Sequence, residues 1–360
     1  MKIELGISTF GETTKLESTG KIESHHKRIK DLIEEMVLAD EVGLDVFAVG
    51  EHHRDDFAIS SPEMILAAGA VKTKNIILTS AVTVLSSNDP VRVYQNFAHV
   101  DLMSDGRAEI MVGRGSFTES FPLFGYQLRD YDGLFDEKLD MLLEIKRDIN
   151  LNWKGTYTQT VENRPVYPRA LNMPIWVATG GNPNSTIDIA TRKLPIVYAI
   201  IGGNPHDFKP LVQAYRAIYK EASKADKNPS FENMKVGSHS WGYIDETDEL
   251  AAQKYWHPVK LFVDRIASER PHWTELTKER YERMIGPEGA VFVGSPETVA
   301  KKIISVMETV ELNRFLIHLP VGSMDHKDIM NSIRLFGEKV APIVRKHFED
   351  KEDFAVKYMK

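Results

Sequence analysis

Two hydrophobic patterns alternate along the chain from its first residues onward. In Arg28–Val37, apolar residues recur at the i, i+3, i+4 spacing that gives an α-helix one apolar face. Val46–Val49 is instead a short, continuously apolar run, typical of a strand in a parallel sheet that is buried on both faces. The same alternation of strand and helix continues through the second half of the chain.

This alternation predicts eight strands, each followed by a helix. The predicted strands are Ile3–Phe10, Val46–Val49, Ile76–Leu85, Ala108–Val112, Ile175–Ala178, Ile196–Ile201, Lys235–Tyr243 and Arg314–Leu319. Later helical patterns are Pro90–Met103, Phe135–Leu151, Ser185–Arg192, Phe208–Ala222, Leu250–Ile266, Pro296–Thr309 and Lys327–Lys346. This count predicts an α/β fold of the closed (β/α)8 type, a TIM barrel. An open doubly wound sheet is the alternative, and it would ordinarily use fewer strands.

Three predicted helices share one start signal, a capping residue followed by proline. The pairs are Ser61-Pro62, Asp89-Pro90 and Ser295-Pro296. A capping side-chain oxygen accepts a hydrogen bond from an unpaired backbone N–H. Proline has no N–H, but at the first helical position that group would make no hydrogen bond within the helix. We therefore expect all three side chains to cap their helices.

Three stretches are too long for plain connections, namely residues 116–134, 153–173 and about 270–288. On a barrel, insertions that follow strands cover the C-terminal mouth, where active sites lie. The stretches 116–134 and 270–288 could therefore supply a lid. No linker divides the chain, so we expect one domain over residues 1–360.

Composition and charge narrow the class of protein. Apolar residues make up 42% and charged residues 27%, as in ordinary soluble domains. The net charge of −7 makes nucleic acid a poor partner, because such binding depends on neutralising phosphates. The chain has no cysteine, which excludes disulfides and thiolate metal sites. With no signal peptide and no apolar run of about 18 residues, we expect a cytoplasmic protein without a membrane partner.

Ionisable residues crowd the segment after the second strand, Glu51-His52-His53 and its neighbours. Such a cluster at a strand end indicates a general acid/base or a metal site, and the alternative is a polar collar that only holds loop amides. Strand alternation sends His52 to one side and Glu51 and His53 to the other. Because Glu51 and Asp55 are close in sequence, we expect His52 to titrate near neutrality.

Two glycine-containing segments indicate an anion site. Gly113-Arg114-Gly115 follows the fourth strand, and an arginine between glycines can offer a bidentate fork to a phosphate. Gly180-Gly181 lies between the fifth strand and a helix that begins near Asn184, where exposed N–H groups and the helix dipole favour anions. The alternatives are an arginine paired with acidic loop residues and a tight turn that needs positive φ at Gly180 or Gly181.

The phosphate motif is neither a Walker loop nor a dinucleotide fingerprint, so the inferred ligand has a single phosphate arm. A metal-dependent hydrolase is the competing class, because His239 and His318 could join His52 at the mouth. Metal hydrolases on barrels usually show a His-x-His pair and several strand-end carboxylates. Here two neighbouring strands end in glycines, at Gly180-Gly181 and Gly202-Gly203, which disfavours a metal site.

Taken together, the chain resembles the bacterial luciferase-like, flavin-dependent monooxygenase family. The resemblance covers about residues 1–200 in family order, with a further match at Val291–Glu297. The matching stretches are Glu51-His52-His53, Ser80–Leu85, Asp89–Arg92, Leu102–Arg107, Val112–Gly115, Phe124-Gly125 and Pro174–Gly181. Each motif is modest alone, and their common order makes the resemblance specific.

The resemblance implies a barrel that binds FMN non-covalently, takes its reduced form from a separate flavin reductase, and uses O₂ to oxygenate a small organic substrate. His52 matches the family's catalytic histidine. Arg114 and the turn Thr179–Ser185, with Thr179, Gly180, Gly181 and Ser185, match its cofactor-phosphate positions. Ala81-Val82 matches a site where the family often has a non-proline cis peptide under the isoalloxazine ring. A homodimer is also implied.

Some features depart from the family or leave alternatives open. A family acidic position falls on Ser120. Some relatives use a deazaflavin in place of FMN, although the Glu51-His52-His53 motif favours the luciferase side. A flavin-binding protein without catalysis is a further alternative. The substrate is not named by the sequence, but five aromatic residues are candidate lining for an apolar or aldehyde-like molecule: Phe10, Phe47, Phe117, Phe121 and Trp241.

Overall fold

Eight parallel strands close into a barrel in the computed structural model, which describes residues 3–115, 117–270 and 272–349. The strands are β1 Glu4–Thr9, β2 Val46–Val49, β3 Ile77–Ser80, β4 Ala108–Gly113, β5 Ile175–Thr179, β6 Ile196–Ala199, β7 Val236–Ile244 and β8 Arg314–His318. Each strand pairs with the next in the chain, and β8 pairs in parallel with β1, placing Glu4 opposite Arg314. The predicted (β/α)8 barrel is confirmed.

Helices surround this barrel and extend over one end of it. They are α1 His25–Glu41, α2 Pro62–Ala70, α3 Pro90–Met103, α4 Tyr131–Arg147, α5 Pro183–Thr191, α6 Lys209–Ser223, α7 Asp248–Glu269, α8 Lys278–Ile285, α9 Pro296–Val310, α10 His326–Leu335 and α11 Ala341–Glu349. Between α7 and α9, a short strand at Phe292–Gly294 pairs with the end of β7. Among the described residues, no helix is long and apolar enough to cross a membrane.

The apolar core has two parts because alternate strand residues face opposite sides of the barrel wall. The larger part lies between strands and helices. The smaller part fills the barrel interior with Val46, Ala48, Met111, Trp176, Val197 and Leu316 among its members. Below it, the buried guanidinium of Arg314 donates to Glu109 at 2.6 and 3.0 Å and lies 4.1 Å from the Trp176 ring centroid. The barrel is therefore packed at its base and can open only at its C-terminal mouth.

Two predicted elements end at least four residues before the predicted boundary. The strand predicted over Ile76–Leu85 ends at Ser80, and after a change of direction Thr83–Val84 pairs again with β4. The helix predicted over Phe135–Leu151 ends at Arg147. Hydrophobic periodicity could not locate either break, because the residues beyond it are again partly apolar.

The stretch 153–173 does not insert at the mouth. Asn150–Trp153 and Val161–Pro165 form an antiparallel hairpin that follows α4, and Glu137 of α4 accepts hydrogen bonds from the backbone of residues 156–158. The hairpin therefore packs on the outside of the barrel, because it follows a helix and not a strand.

Two helix-boundary predictions are also corrected. Asp89 and Ser295 cap their helices as expected, but the Ser61 side chain makes no capping hydrogen bond. The helix predicted over Lys327–Lys346 is divided into α10 and α11 by one π-helical turn at Phe336–Val340.

Residues 117–134 follow a strand and lie at the mouth, whereas residues 272–288 follow helix α7, whose C-terminal end reaches the mouth at Arg270. Residues 117–134, after β4, contain a short helix at Ser120–Leu123, and α8 lies within 272–288 after α7. Ser116 and Pro271, which belong to these predicted insertions, lie outside the described residues. Helix α7 itself reaches the loop after β2, where Arg265 pairs with Asp55 at 2.7 Å. Segments that follow β2, β4 and β7 thus meet over the barrel.

Candidate active site

A cavity with about 430 Å³ of empty space, its opening to solvent included, lies at the C-terminal ends of β1 to β4. Its lining combines aromatic, small and polar side chains. The lining residues are Phe10, Glu51, His52, His53, Ala81, Val82, Val84, Gly115, Phe117, Glu119 and Ser120. We call this space the His52 cavity.

The His52 imidazole is held by aromatic rings. It stacks on Phe57 with ring centroids 4.2 Å apart and lies 4.5 Å from Phe10 and 5.1 Å from Phe117. Burial, followed by the charge of His318, lowers the pKa of His52 to about 3. The expectation that His52 titrates near neutrality is therefore wrong, because neither nearby carboxylate is directed at it. The imidazole is neutral at physiological pH.

Glu51 supports the wall of the cavity. Its buried carboxylate accepts hydrogen bonds from the backbone N–H of Val84 at 2.8 Å, from Asn88 Nδ2 at 3.1 Å and from His53 Nε2 at 2.9 Å. The predicted alternation is thus confirmed, with Glu51 and His53 together and His52 directed elsewhere. Asp55 is 85% exposed and pairs with Arg265.

The peptide bond between Ala81 and Val82 is cis, as the family resemblance implied. The Val82 carbonyl accepts a hydrogen bond from the Glu51 N–H at 3.2 Å, which ties this loop to the end of β2. A Cβ atom on Gly113 would come within 2.9 Å of the Val82 side chain, so glycine at this position allows the loop to approach β4. Ala81 and Val82 therefore form one wall of the His52 cavity.

His239 and His318 lie behind Phe10 without forming a metal site. His318 Nε2 donates to Glu12 at 2.7 Å, and its Nδ1 lies 3.3 Å from Ser8 Oγ. The rings of His239 and His318 are 5.1 Å apart between centroids. Across residues 3–115, 117–270 and 272–349, no group of three potential ligands is arranged to hold a metal ion. The positions of these histidines therefore do not support the hypothesis of a metal-dependent hydrolase.

Arg114 lies one residue before the cavity-lining Gly115 and is surrounded by carboxylates. Its Nη2 donates to Asp136 at 3.1 Å, its Nε lies 3.2 Å from Asp132, and its Nη1 donates to the Ser185 hydroxyl at 3.4 Å. The buried Nε has no hydrogen bond of acceptable angle among the described residues. The arginine and Ser185 are thus brought together as predicted, and the acidic partners correspond to the alternative interpretation of the motif.

The turn after β5 has the expected backbone. Gly181 has a φ of +98°, while a Cβ atom on Gly180 would meet nothing within 4 Å. Helix α5 begins at Pro183, one residue earlier than expected, and the Asn182 side chain accepts from the N–H groups of Asn184 and Ser185 at 2.8 and 3.3 Å. The open space beside Gly180, and the Ser185 hydroxyl 3.4 Å from Arg114 Nη1, suit an anion that reaches Arg114.

The aromatic lining is partly corrected. Phe10 and Phe117 line the cavity, whereas Phe47 and Phe121 are fully buried in packing and Trp241 packs edge-on against Phe262 of α7. Sequence reasoning missed Phe57, which lies in a loop where no periodicity predicts its direction. Ser120, at the family's acidic position, lines the cavity with a buried Oγ that has no partner among the described residues.

Comparisons with known proteins agree with this geometry. The family model for luciferase-like monooxygenases matches residues 3–310. The N-acetyl-S-alkylcysteine monooxygenase of Bacillus subtilis (strain 168) is 25% identical over 299 residues, covering 81% of this chain and 87% of the relative. The match extends well beyond residue 200, where the resemblance in the sequence becomes weak.

Solved structures share the fold with different cofactors. The oxygenating constituent of 3,6-diketocamphane monooxygenase from Pseudomonas putida, in complex with FMN, aligns with a TM-score of 0.71 and 19% identity, covering 95% of this chain and 99% of that one. An F420-dependent secondary alcohol dehydrogenase aligns with the same TM-score and 18% identity, covering 96% and 99%. The chain belongs to the luciferase-like monooxygenase family, and with it to the oxidoreductases.

Proposed function

We propose that this protein is the oxygenase component of a two-component monooxygenase. In this proposal it binds reduced FMN supplied by a separate flavin reductase and uses O₂ to oxygenate a small, apolar organic molecule. The observation that carries the proposal is the adjacency of two unlike sites. The aromatic His52 cavity ends at Gly115, and the preceding residue is Arg114, whose buried Nε forms no hydrogen bond among the described residues although Asp132 lies 3.2 Å away.

The residues around Arg114 fit the phosphate arm of FMN. Arg114 and the Ser185 hydroxyl already face each other, and the space beside Gly180 is open. Charge-assisted hydrogen bonds to a phosphate are among the strongest that a side chain can make. Thr179 and Gly181 would shape the same turn, Ala81 and Val82 would contact the ring system, and FMN would supply the electrons needed to activate O₂.

Charge around Arg114 favours FMN over the deazaflavin F420. Four carboxylates meet two guanidinium groups there, since Arg114 pairs with Asp132 and Asp136, and Arg192 pairs with Asp140 and Asp188. We call these four aspartates the acidic rim. F420 carries further carboxylates beyond its phosphate, which the acidic rim would repel, whereas FMN ends at the phosphate.

At the other end, the chain supplies a dry wall and a neutral imidazole. Phe10, Phe57 and Phe117 exclude water from the His52 ring, as flavin-dependent oxygen chemistry requires. The neutral imidazole of His52 can donate a hydrogen bond from one ring nitrogen and accept one at the other, and with its pKa at about 3 it would hold a proton only transiently, when a reacting group releases one. The uncharged, aromatic surroundings favour an apolar substrate.

The test is a binding and turnover experiment on the purified chain. Absorbance titration with FMN, riboflavin and F420 should give tightest binding for FMN, and added reduced FMN with O₂ should oxygenate an apolar ketone, aldehyde or thioether. Tighter binding of F420, with hydride transfer and no O₂ consumption, would contradict the proposal. Flavin binding with no oxygenation of any probe would instead support the non-catalytic alternative.

Three further predictions accompany this proposal. The reductase is a separate protein, the oxygenase is a homodimer and both act in the cytoplasm. Co-purification from the native host, sedimentation of the purified chain and cell fractionation test these three statements in turn.

A further inference from the structure

Arg54 joins three segments of the mouth that come from different strands. Its side chain is 7% exposed and donates to Asp56 in its own loop at 3.0 Å, to Glu119 in the insertion after β4 at 3.1 Å, and to Glu269 at the end of α7 at 2.6 and 2.9 Å. The bond to Glu269 is bidentate, the geometry that makes an arginine–carboxylate pair directional.

A second arginine repeats the link between α7 and the loop after β2. Arg265 pairs with Asp55 at 2.7 Å, with Asp56 at 3.2 Å and with Glu269 of its own helix at 3.3 Å. We call these residues the mouth cluster: Arg54, Asp55, Asp56, Glu119, Arg265 and Glu269. Its members carry two positive and four negative charges, so the two guanidinium groups hold together carboxylates that would otherwise repel one another.

The mouth cluster is connected to the cavity through Phe117. The Arg54 guanidinium lies 4.7 Å from the Phe117 ring centroid, and the Arg270 guanidinium lies 4.8 Å from it. The edge of the same ring meets His52 at 5.1 Å. Movement of Arg54 away from its carboxylates would therefore release a wall of the His52 cavity.

We propose that Arg54 is a positioning residue that holds Phe117 and the end of α7 over His52, so that flavin and substrate enter when the mouth cluster separates. The identity of the ligand in this inference rests on the proposed function. The closed state of the mouth rests only on the contacts of the free protein. The carboxylates of Glu119 and Glu269 are 35% and 38% exposed, so salt can screen their pairs with Arg54, and opening should become more frequent at high ionic strength. The hydrogen bond from Arg54 lowers the pKa of Glu269, which agrees with a carboxylate held in its charged form.

The first test needs no ligand. Hydrogen–deuterium exchange should show about tenfold faster exchange for both 117–123 and 265–270 in Arg54→Gln than in the wild type, because both segments lose one common anchor. The matched control is Arg129→Gln in the same insertion, since Arg129 is 76% exposed and, among the described residues, pairs only with Asp130 at 3.9 Å. Faster exchange confined to residues 50–59 would overturn the proposal.

The second test measures how salt changes the FMN dissociation rate. It begins with the wild type, in which no substitution can disturb the fold. The FMN dissociation rate should rise about tenfold between low salt and ~1 M salt, where the Debye length is about 3 Å. Arg54→Gln should begin at the higher rate and respond weakly to salt, and the partial variant Glu269→Gln should lie between the two. An equal salt response in wild type and Arg54→Gln would contradict the proposal.

Turnover separates positioning from a purely structural role. Arg54→Gln should raise KM by several fold and leave kcat within about twofold, with Arg54→Lys recovering part of the effect, because lysine keeps the charge but not the fork. Equal losses in kcat and in thermal stability, without a change in KM, would indicate that Arg54 only stabilises the fold. If the wild type binds no flavin at all, the proposed function fails, and the exchange experiment still decides whether the mouth cluster closes the cavity.

Discussion

The two ends of the candidate site treat charge in opposite ways. At the His52 end, the buried carboxylate of Glu51 accepts hydrogen bonds from backbone and amide groups, and the imidazole is neutral among aromatic rings. At the Arg114 end, the guanidinium is only 24% exposed yet stays paired with carboxylates that reach solvent. The His52 end is suited to exclude water, and the Arg114 end is suited to exchange a carboxylate for another anion.

This difference suits a ligand that is itself divided. A flavin ring system is flat and weakly polar, and its phosphate arm is dianionic. A dry aromatic cavity would contact the first part without an unpaired charge, and an arginine among exposed carboxylates could change partners when the second part arrives. The predictions below ask whether the ends are as independent as this division implies.

The largest effect should come from the dry end. We expect His52→Ala to lower turnover by ~10²–10⁴, the usual range for losing a general acid or base, while FMN affinity stays within a few fold. Because its pKa lies at about 3, His52 should add no inflection to the rate above about pH 5. Stopped-flow absorbance of the bound flavin, after mixing with oxygenated buffer at a series of pH values, measures the rate and its pH dependence. A separate titration measures FMN affinity.

His53→Ala is the matched control for that experiment. His53 donates to Glu51 and contacts Phe124, so its loss should lower stability more than turnover. A stronger effect on turnover at His53 than at His52 would show that the two histidines have exchanged roles. The aromatic surroundings of His52 would then not mark the catalytic end of the site.

The next effect belongs to the charged end. Arg114→Ala should weaken FMN binding by ~2–3 kcal/mol, roughly 30- to 150-fold, because a charge-assisted phosphate contact is lost and Asp132 and Asp136 are left unpaired. Riboflavin lacks the phosphate and should bind both proteins equally in a fluorescence titration. Equal loss of riboflavin affinity would mean that Arg114 supports the fold of the turn, and that the two ends are not independent.

The sequence predicts the barrel, its strand order and most of this site, because strand alternation and strand-end position are local properties. Alternation separated His52 from His53 correctly, and glycine placement located the turn at Gly181. The charge state of His52 could not be predicted in this way. It depends on the Phe57 ring, five residues further along the same loop, and on His318 at the end of β8, and no periodicity in the sequence directs either of them towards His52.

The carboxylates around Arg114 illustrate the same limit. Asp132 and Asp136 lie one helical turn apart on α4, a spacing typical of any solvent-facing helix. Only the packing of α4 against the end of β4 turns that face towards Arg114. Long-range placement, not local chemistry, decides which of many acidic residues becomes a partner.

A third prediction tests the dry interior through pH. Burial, followed by the charge of His318, lowers the pKa of His239 to about 3 from the ordinary value of 6.5. The unfolded chain therefore binds a proton that the folded chain refuses, so stability is full above pH 6.5 and falls as pH decreases towards 3. His239→Phe removes this group and keeps an aromatic ring beside Phe10.

Urea denaturation at two pH values provides the measurement. Between about pH 7.5 and about pH 5, the free energy of unfolding of the wild type should fall by at most roughly 2 kcal/mol more than that of His239→Phe. Parallel pH dependence in the two proteins would mean that His239 takes up a proton as readily in the folded chain as in the unfolded chain, and that the interior behind Phe10 is wetter than its packing indicates.

The smallest expected effect concerns the acidic rim and separates the two cofactors. Asp136→Asn removes the carboxylate that lies 3.1 Å from Arg114 Nη2, leaving an amide of the same shape. Since Asp136 is partly exposed, the gain in FMN affinity should be only about two- to fivefold, as for an exposed ion pair. The gain for F420 should be larger, because its additional carboxylates would add repulsion with Asp136 if they extend past the phosphate along the acidic rim. The control is Asp105→Asn, which removes one negative charge at a turn before β4, away from the acidic rim.

Titrations of each variant with FMN and with F420 at low salt measure the ratio of the two gains in affinity. An equal gain for FMN and F420 in Asp136→Asn would show that the acidic rim does not discriminate between the two arms, and the preference for FMN would then have to come from the His52 end of the site.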